Sequence, residues 1–168
     1  MKKRTGIITV AIDSPAAAGA GTQAKLIAKE YNLQYLDTGK LYRIIGKLKL
    51  DYKEKFNHKI VKEKITKLKL NDLKKKQLLS DKVAKSASNI ARDKKIRDIV
   101  KKFQLDFAYN PSKNYAGSVL DGRDITSKIM KDAMFKFYIT ASLEIRAERR
   151  YLEYMKLNKK ILYKDVLK

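Results

Sequence analysis

Residues 7–22 read I-I-T-V-A-I-D-S-P-A-A-A-G-A-G-T, and this stretch indicates an α/β fold. The apolar run from Ile7 to Ile12 is typical of a buried strand. It passes through a loop of small residues into a helix that we expect to begin near Gly21 and Thr22. A strand, loop and helix in this order direct free backbone N–H groups and the positive end of the helix dipole toward one point. The segment therefore predicts a binding loop for phosphate.

The loop departs from the usual phosphate-loop pattern, G-x-x-x-x-G-K-[ST], at its charged position. Ala20 stands where the pattern has lysine, and Ser14 stands where it has the first glycine. If position 14 needs a positive φ, serine adds strain there. Gly19, Gly21 and Thr22 are retained, and a hydroxyl near the helix start can help to hold Mg²⁺. A small-residue turn can also simply pack a helix closely against a sheet, so this segment alone leaves both interpretations open.

Length and composition indicate a single domain with its own core. The chain has 168 residues, one histidine and no cysteine, which excludes a disulfide framework, a thiolate metal site and a cysteine nucleophile. His58 lies in a lysine-rich stretch, where we expect a solvated position. No apolar run reaches membrane-spanning length, and the basic residues 1–4 lead into a strand without a small-residue cleavage site. The sequence therefore predicts a cytoplasmic protein without a membrane segment or signal peptide.

The formal net charge of +22 raises the question of a nucleic-acid partner. The lysines are spread along the chain and do not alternate with the aromatic and arginine side chains that stack on bases. Dispersed lysines usually form a solvated surface, whereas most of the arginines fall inside motif-like segments. The charge therefore favours a basic surface, and nucleic-acid binding remains a less favoured alternative.

Strands and helices alternate along the chain, which predicts a parallel sheet and an α/β architecture. The expected strands are 7–12, 33–36, 118–120 and 135–140. The expected helices are 22–32, one that follows residues 37–39 and runs to residue 50, 94–109, 142–157 and a short last piece up to residue 168. The first helix offers four candidates for its inward face, namely Ala24, Leu26, Ile27 and Tyr31. Residues 51–92 are strongly basic and helix-prone, and they resemble a small inserted helical subdomain more than a part of the core.

Polar side chains follow each predicted strand. The phosphate loop follows the first strand, and L-D-T-G-K-L-Y-R at 36–43 ends the second. The third ends in L-D-G-R-D-I at 120–125 and the fourth in I-T-A-S at 139–142. Ligands of open parallel sheets bind outside the carboxyl ends of the strands, and arginines grip phosphates in a bidentate manner. The convergence of these segments on one edge predicts a nucleotide site.

These residues make the chain similar to the bacterial cytidylate kinases, a family of P-loop nucleoside monophosphate kinases. The matching segments occur in the family's order and cover nearly the whole chain: I-D-S-P-A-A-A-G-A-G-T at 12–22, Y-L-D-T-G-K-L-Y-R at 35–43, S-A-S-N-I-A at 86–91, V-L-D-G-R-D-I at 119–125 and F-K-F-Y-I-T-A-S-L-E-I-R-A-E-R-R at 135–150. The resemblance implies a P-loop NTPase-type parallel sheet with flanking helices, formed as one domain over residues 1–168. It also implies transfer of the γ-phosphoryl group of ATP to CMP or dCMP, with Mg²⁺.

The resemblance assigns residues to each part of the site. The ATP phosphates would be bound by Ser14, Pro15, Ala16, Ala17, Ala18, Gly19, Ala20, Gly21 and Thr22, with Thr22 also toward Mg²⁺. CMP would be bound by Thr38, Arg43, Ser88, Arg97, Arg123 and Asp124. The arginines suit the α-phosphate and sugar, and Ser88 and Asp124 suit the cytosine and ribose edges, although the sequence does not fix that division. The expected catalytic residues are Asp121, Arg123 and Arg149.

Two further segments take roles from the resemblance. Residues 51–92 would be the mobile CMP-binding insert, and residues 146–168 would be part of a lid. Arg146, Arg149 and Arg150 would approach the transferred phosphoryl group. The alternative for these three is surface pairing with glutamates at short helical spacings, namely Glu144, Glu148 and Glu153. Family members continue past the position of Lys168, so the resemblance also implies a C-terminally truncated fold with an uncovered sheet edge and a tendency to associate.

Three functions follow from the sequence as hypotheses. The first is a monomeric CMP kinase, in which the loss of the loop lysine at Ala20 lowers the rate by a factor on the order of 10²–10³. The second is a kinase-fold protein that binds nucleotide without turnover, and the third is a basic nucleic-acid-binding domain. Lys25 or Lys40 could supply the missing charge, and the sequence leaves that question open.

Overall fold

The structure of the protein, a computed structural model, describes residues 4–156 and 161–167. Its strands are β1 (Ile8–Asp13), β2 (Leu33–Asp37), β3 (Gly117–Gly122) and β4 (Phe135–Tyr138). Its helices are α1 (Ala20–Glu30), α2 (Thr38–Tyr52), α3 (His58–Thr66), α4 (Asp81–Ile90), α5 (Lys94–Tyr109), α6 (Leu143–Lys156) and α7 (Tyr163–Leu167). Short 3-10 helices cover Lys53–Lys55, Leu70–Lys74 and Lys76–Leu79, and a π-helical turn covers Ile125–Ile129. The predictions for residues 1–3, 157–160 and 168 lie outside the described residues.

The four strands form one parallel sheet in the order β2-β3-β1-β4, which confirms the predicted α/β architecture. Because all strands run in the same direction, their carboxyl ends share one edge. Asp37 is in register with Asp121, and Asp13 is in register with both Gly122 and Tyr138. The segments that were expected to converge at this edge therefore do so.

The sheet separates two clusters of buried side chains. Val10 and Ile12 of β1 face the smaller cluster with α1, whereas Ala11 faces the larger cluster on the opposite side. This division follows from the two-residue period of a strand. The prediction for α1 was only half correct: Ala24 is buried, but Leu26 and Tyr31 are 56% and 59% exposed. A short helix that packs on one side against a sheet buries only a narrow stripe of its own surface, and in α1 this stripe consists of small residues.

The interpretation of residues 51–92 as a segment outside the core was wrong. Apolar side chains of this segment belong to the same buried cluster as Leu36 and Leu120 of the sheet; they are Val61, Ile65, Leu73, Leu78 and Ile90. The helical content was predicted correctly. Apolar residues recur at helical spacing between the many lysines of this segment, and the prediction gave them too little weight. These apolar side chains pack inward, whereas the lysines stay in solvent.

Gly46 explains how this segment joins the core. A Cβ atom at Gly46 would lie 2.7 Å from the backbone nitrogen of Ala87, so α2 and α4 meet almost backbone to backbone. The hydroxyl of Ser86 donates to the carbonyl of Gly46 at 2.9 Å. The contact extends the core from the sheet through α2 into α4.

His58 is half-exposed, as expected, but it also has a structural partner. Its Nε2 lies 2.9 Å from Oδ2 of Asp93, and Oδ1 of the same carboxylate accepts a hydrogen bond from the backbone N–H of Ile96. The hydrogen bond from His58 is the main reason that the pKa of Asp93 lies below its usual value. The pair joins the start of α3 to the start of α5.

Two features of the described surface concern its helices and its sheet edge. None of the helices in the described ranges is long and apolar enough to cross a membrane. β4 is an edge strand whose four residues are all exposed, including Phe135, Phe137 and Tyr138.

Candidate active site

The loop between β1 and α1 lies at the carboxyl edge of the sheet. The backbone N–H of Ser14 donates to the carbonyl of Gly122 at 3.1 Å, which fixes the loop to the end of β3. α1 begins at Ala20, one to two residues earlier than expected, and Gly19 is its N-cap with φ of 97°. Because the first N–H groups of a helix have no partner inside it, they are available to an anion at this position.

The strain in the loop lies at a different residue from the one that the sequence suggested. Ser14 has no positive φ, so its replacement of glycine adds no strain of that kind. Ala17, three residues later, has φ of 60°, which is the left-handed region. An L-residue with a Cβ atom is less stable there than glycine by about 1–2 kcal/mol.

We expect the Ala17→Gly variant to be more stable than the unaltered chain by about 0.5–1 kcal/mol. Glycine removes the cost of the left-handed conformation, although it also increases the entropy of the unfolded chain. Urea denaturation measures the free energy of unfolding. Ala18→Gly is the matched control, because Ala18 is buried and has no positive φ, so this change should be destabilising. Equal destabilisation of both variants would contradict the prediction.

Asp121, at the end of β3, is a largely buried acid beside the loop. A Cβ atom at Gly21 would lie 3.5 Å from both its Oδ2 and the hydroxyl of Tyr35. Burial, and then the negative charge of Asp37 on the neighbouring strand, raise the pKa of Asp121 to about 6. The hydroxyl of Tyr35 donates to this carboxylate and the charge of Lys25 acts on it, and both partly oppose the shift.

One oxygen of Asp121 is left unpaired. Its Oδ1 is buried and has no hydrogen-bond partner among residues 4–156 and 161–167. A buried carboxylate oxygen without a donor is costly, and such groups in native proteins often await a ligand or an ion. This feature makes Asp121 a candidate for a functional acid.

Asp13 is a residue of the site that sequence reasoning missed. Its buried carboxylate accepts hydrogen bonds from the backbone N–H groups of Ile125 (2.7 Å) and Thr126 (3.0 Å), and from the hydroxyl of Thr126. It therefore fixes the turn that carries Arg123 and Asp124 against the end of β1. The available signal was a carboxylate that follows a buried apolar strand, because such a group must find donors.

Two of the three arginines in α6 contact the phosphate loop. The Nε of Arg146 donates to the carbonyl of Ala16 at 2.9 Å, and the Nη1 of Arg149 donates to the carbonyl of Ala18 at 2.8 Å. Arg150 instead pairs with Glu153 at 2.8 Å, and its guanidinium lies over the ring of Tyr154. The surface-pairing alternative is therefore correct for Arg150, whereas Arg146 and Arg149 reach across to the loop.

Comparisons with known proteins agree with this geometry. The sequence profile of the family described as cytidylate kinase matches residues 10–168. The chain is also similar to curated proteins named cytidylate kinase. The protein from Bartonella quintana (strain Toulouse) is 42% identical over 94% of this chain and 72% of its own length. Those from Acidiphilium cryptum (strain JF-5) and Agrobacterium fabrum (strain C58 / ATCC 33970) are 40% and 41% identical over 87% and 86% of this chain, and over 67% and 68% of their own lengths.

The chain belongs to the cytidylate kinase family. The resemblance carried by the motifs is thereby confirmed, together with the fold class that it implied. Of the cytidylate kinase motifs, the loop at 14–22 and the turn at 121–124 are neighbours at one sheet edge, joined through Ser14 and Gly122.

Two predicted CMP-binding residues act electrostatically on a tyrosine of the second cytidylate kinase motif. Tyr42 of α2 is half-buried, and burial is the largest cause that raises its pKa. The charge of Arg97 lowers that pKa and the charge of Asp124 raises it, so both groups lie within electrostatic range of the phenol. Arg97 of α5 and Asp124 of the turn after β3 therefore both lie within electrostatic range of the same phenol.

The other predicted CMP-binding residues differ in their surroundings. Arg43 donates from Nη1 to the carbonyl of Leu78 at 2.8 Å, which links α2 to the segment before α4. Thr38 is buried and its hydroxyl donates to the carbonyl of Asp121 at 2.9 Å, so it supports the turn from inside. Arg123 and Ser88 are exposed. Asp124 is also exposed, with φ of 59°, and its carboxylate pairs with Lys128 at 2.7 Å.

Proposed function

We propose that this chain transfers the γ-phosphoryl group of ATP to CMP or dCMP, which gives ADP and CDP or dCDP. The observation that carries the proposal is the meeting of the phosphate loop, Asp121 and the α6 arginines at one edge of the sheet, in a chain of the cytidylate kinase family. The relatives compared above carry the name cytidylate kinase.

The ATP phosphates bind in this proposal to the loop at 14–22. Gly19 and Gly21 allow the backbone to approach the ligand closely, and the free N–H groups at the start of α1 donate to the phosphate oxygens. Arg149 lies over the same loop. The loop itself contains no cationic side chain, since Ala20 stands where the pattern has lysine.

The residues near the loop fit Mg²⁺ that arrives with the nucleotide. No group of three or more acidic or histidine side chains in the described part of the chain forms a metal site on its own. The unpaired Oδ1 of Asp121 and the exposed Thr22 in the first turn of α1 offer oxygen atoms, which Mg²⁺ prefers. These two residues would hold the ion, directly or through its waters. When bound, Mg²⁺ neutralises charge that develops on the phosphate oxygens.

CMP binds in this proposal between the turn after β3 and the helices α2, α4 and α5. Arg43, Arg97 and Arg123 bind the α-phosphate and sugar, and Ser88 and Asp124 bind the cytosine and ribose edges. The electrostatic effect of both Arg97 and Asp124 on the pKa of Tyr42 supports this grouping. Thr38 completes the set, and from its buried position it also fixes the turn at Asp121.

The proposed reaction is an in-line displacement at phosphorus. An α-phosphate oxygen of CMP attacks the γ-phosphorus of ATP, and the bond from that phosphorus to the β–γ bridging oxygen breaks, so ADP leaves. The protein positions donor and acceptor and neutralises their charge, which accounts for most catalysis in this reaction class. Arg123 and Arg149 provide positive charge, and no covalent nucleophile is required, in keeping with the lack of cysteine.

Release of ADP from ATP and Mg²⁺, with CMP, dCMP or UMP as acceptor, tests the proposal directly. We expect turnover that depends on CMP or dCMP, and a higher rate in the Ala20→Lys variant because it restores the charge of the pattern. Nucleotide binding without turnover in both proteins would favour the second hypothesis, a kinase-fold protein that does not catalyse transfer. A folded protein that neither binds nucleotide nor turns over would contradict the proposal.

The proposed setting is the cytoplasm, where both nucleotides are available, and the proposed state is a monomer. In this proposal, the candidate site uses residues of a single copy of the chain. Size-exclusion chromatography with light scattering would reveal a dimer if this part of the proposal is incorrect.

A further inference from the structure

The phosphate loop needs a positive charge that its own residues do not supply. Residues 14–22 contain only serine, threonine, proline, alanine and glycine. The start of α1 contributes the equivalent of about half a charge through its dipole. The triphosphate of ATP carries several negative charges, and Mg²⁺ offsets only part of them. A protein cation from outside the loop would therefore strengthen binding.

The two lysines that the sequence offered both act on acids at the strand ends. Lys40 has its Nζ 3.9 Å from a carboxylate oxygen of Asp37. Lys25 is exposed on α1, and its charge acts on the carboxylate of Asp121. Both lysines therefore offset the acids at the strand ends.

Arg149 lies at the loop itself. Its Nη1 donates to the carbonyl of Ala18 at 2.8 Å and lies 3.5 Å from the carbonyl of Ala17. A Cβ atom at Gly19 would lie 3.1 Å from the same nitrogen. The guanidinium therefore packs against the residue that directly precedes Ala20, and Gly19 provides the space that it occupies.

The chemistry of a guanidinium suits this position. It has five N–H donors in a planar fork and remains charged at every physiological pH. The contacts with the loop carbonyls come from a single nitrogen, so other donors remain for phosphate oxygens. The neighbouring Arg146 holds the carbonyl of Ala16, so α6 is fixed to the loop at two points.

We propose that Arg149, anchored on the carbonyls of the phosphate loop, supplies the positive charge for the ATP phosphates that Ala20 does not provide. This inference rests on the proposed function, which makes ATP the ligand of the loop. It assigns to α6 a role that the usual pattern gives to the loop lysine, and it explains how a loop without lysine can bind a triphosphate.

A double-mutant cycle between positions 149 and 20 tests the proposal. Titration calorimetry with ATP and Mg²⁺ measures affinity, and ADP release with CMP measures turnover. Arg149→Ala should lower ATP affinity by about 10- to 100-fold in the unaltered chain, the range for loss of a charge-assisted hydrogen bond. In the Ala20→Lys background the same change should cost at most about fivefold, as for an exposed charge.

Two control variants separate charge from structure. Arg150→Ala removes an arginine of the same helix that pairs with Glu153, and it should leave ATP affinity unchanged. Arg149→Lys retains the charge and should recover much of the affinity lost in Arg149→Ala. Thermal unfolding of each variant without nucleotide checks that the fold is intact.

The outcomes distinguish this proposal from the proposed function. An equal loss from Arg149→Ala in both backgrounds would overturn the substitution of Arg149 for the lysine, as would no loss at all. Failure of the unaltered chain to bind ATP would overturn it too. CMP-dependent turnover after Ala20→Lys would then still support the kinase activity.

Discussion

The Asp121→Asn variant should lose most of its kinase activity and yet be more stable than the unaltered protein. The change keeps the shape of the side chain but removes a negative charge beside the phosphate loop. Loss of one preorganised group at a phosphoryl-transfer site lowers kcat by a factor on the order of 10²–10³. Steady-state ADP release, at saturating ATP and CMP, measures this decrease.

The increase in stability has a definite dependence on pH. The pKa of Asp121 is raised from 3.8 in the unfolded chain to about 6 in the folded one. The native state therefore binds more protons between these values, and the stability that Asp121 contributes falls as the pH rises from about 4 to 6. Above pH 6 the ionised, buried carboxylate costs about 3 kcal/mol, which the neutral asparagine avoids.

The amide of asparagine limits the gain. The unpaired Oδ1 of Asp121 can become an unpaired N–H group, whose burial has a similar cost. We therefore expect Asp121→Asn to gain about 1–3 kcal/mol at pH 7.5 and nothing below pH 4. Urea denaturation across this range measures the difference. Asp98→Asn, at an exposed aspartate of α5, serves as the control and should change stability by less than about 0.5 kcal/mol. A gain that is independent of pH would show that the charge of Asp121 is not its cause.

The sequence predicted the sheet because its signals are local. Buried apolar runs mark β1 and β3, and Asp37 caps α2 by accepting from the backbone N–H of Lys40 at 3.3 Å. These features depend only on neighbouring residues and on the two periods of regular structure. The parallel direction of the strands then follows, because a helical segment connects each strand to the next. The motif at 121–124 could be placed beside the loop for the same reason.

Long-range packing could not be predicted from the same signals. Leu78 is buried in a 3-10 helix that packs against both α2 and α4, and these two helices meet at Gly46. Val61 is buried in α3, which packs against α5. No local sequence pattern indicates either contact. The α6 arginines show most clearly that helical spacing alone does not predict the partner of a side chain. Arg149 and Arg150 lie three and four residues after Arg146, and both spacings lie on the same side of a helix. Only the position of α6 relative to the loop decides that Arg149 reaches Ala18 and that Arg150 pairs with Glu153.

The Gly117→Ala variant should lose most of the stability of the fold. Gly117 begins β3 and is in register with Ile8 on one side and Leu33 on the other. A Cβ atom here would overlap the carbonyl oxygen of Ile8, and it would lie 2.6 Å and 2.7 Å from the carbonyl carbon and nitrogen of that residue. All three atoms belong to the backbone, so no side chain can move aside, and β1 and β3 would have to separate.

Separation at this point affects more than one hydrogen bond. Next to Gly117, the hydroxyl of Ser118 donates to the carbonyl of Ala108 at 2.6 Å inside the core, and the backbone N–H of Ile8 donates to the carbonyl of Ala116 at 3.0 Å. We expect a loss of about 4 kcal/mol or more, a large part of the stability of a domain of this size.

Gly6→Ala is the matched control for Gly117→Ala, because it separates the cost of a steric overlap from the cost of an unfavourable backbone conformation. Gly6 has φ of 70°, but no atom lies within 4 Å of the place that a Cβ atom would take, so alanine there should cost only about 1–2 kcal/mol. Urea denaturation followed by circular dichroism compares the two variants. Similar losses in both would contradict the argument, since the backbone conformation would then outweigh the contact between β1 and β3. A much larger loss at Gly117 would show that the fold depends on the close approach of β1 and β3, the two strands that lead to the phosphate loop and to Asp121.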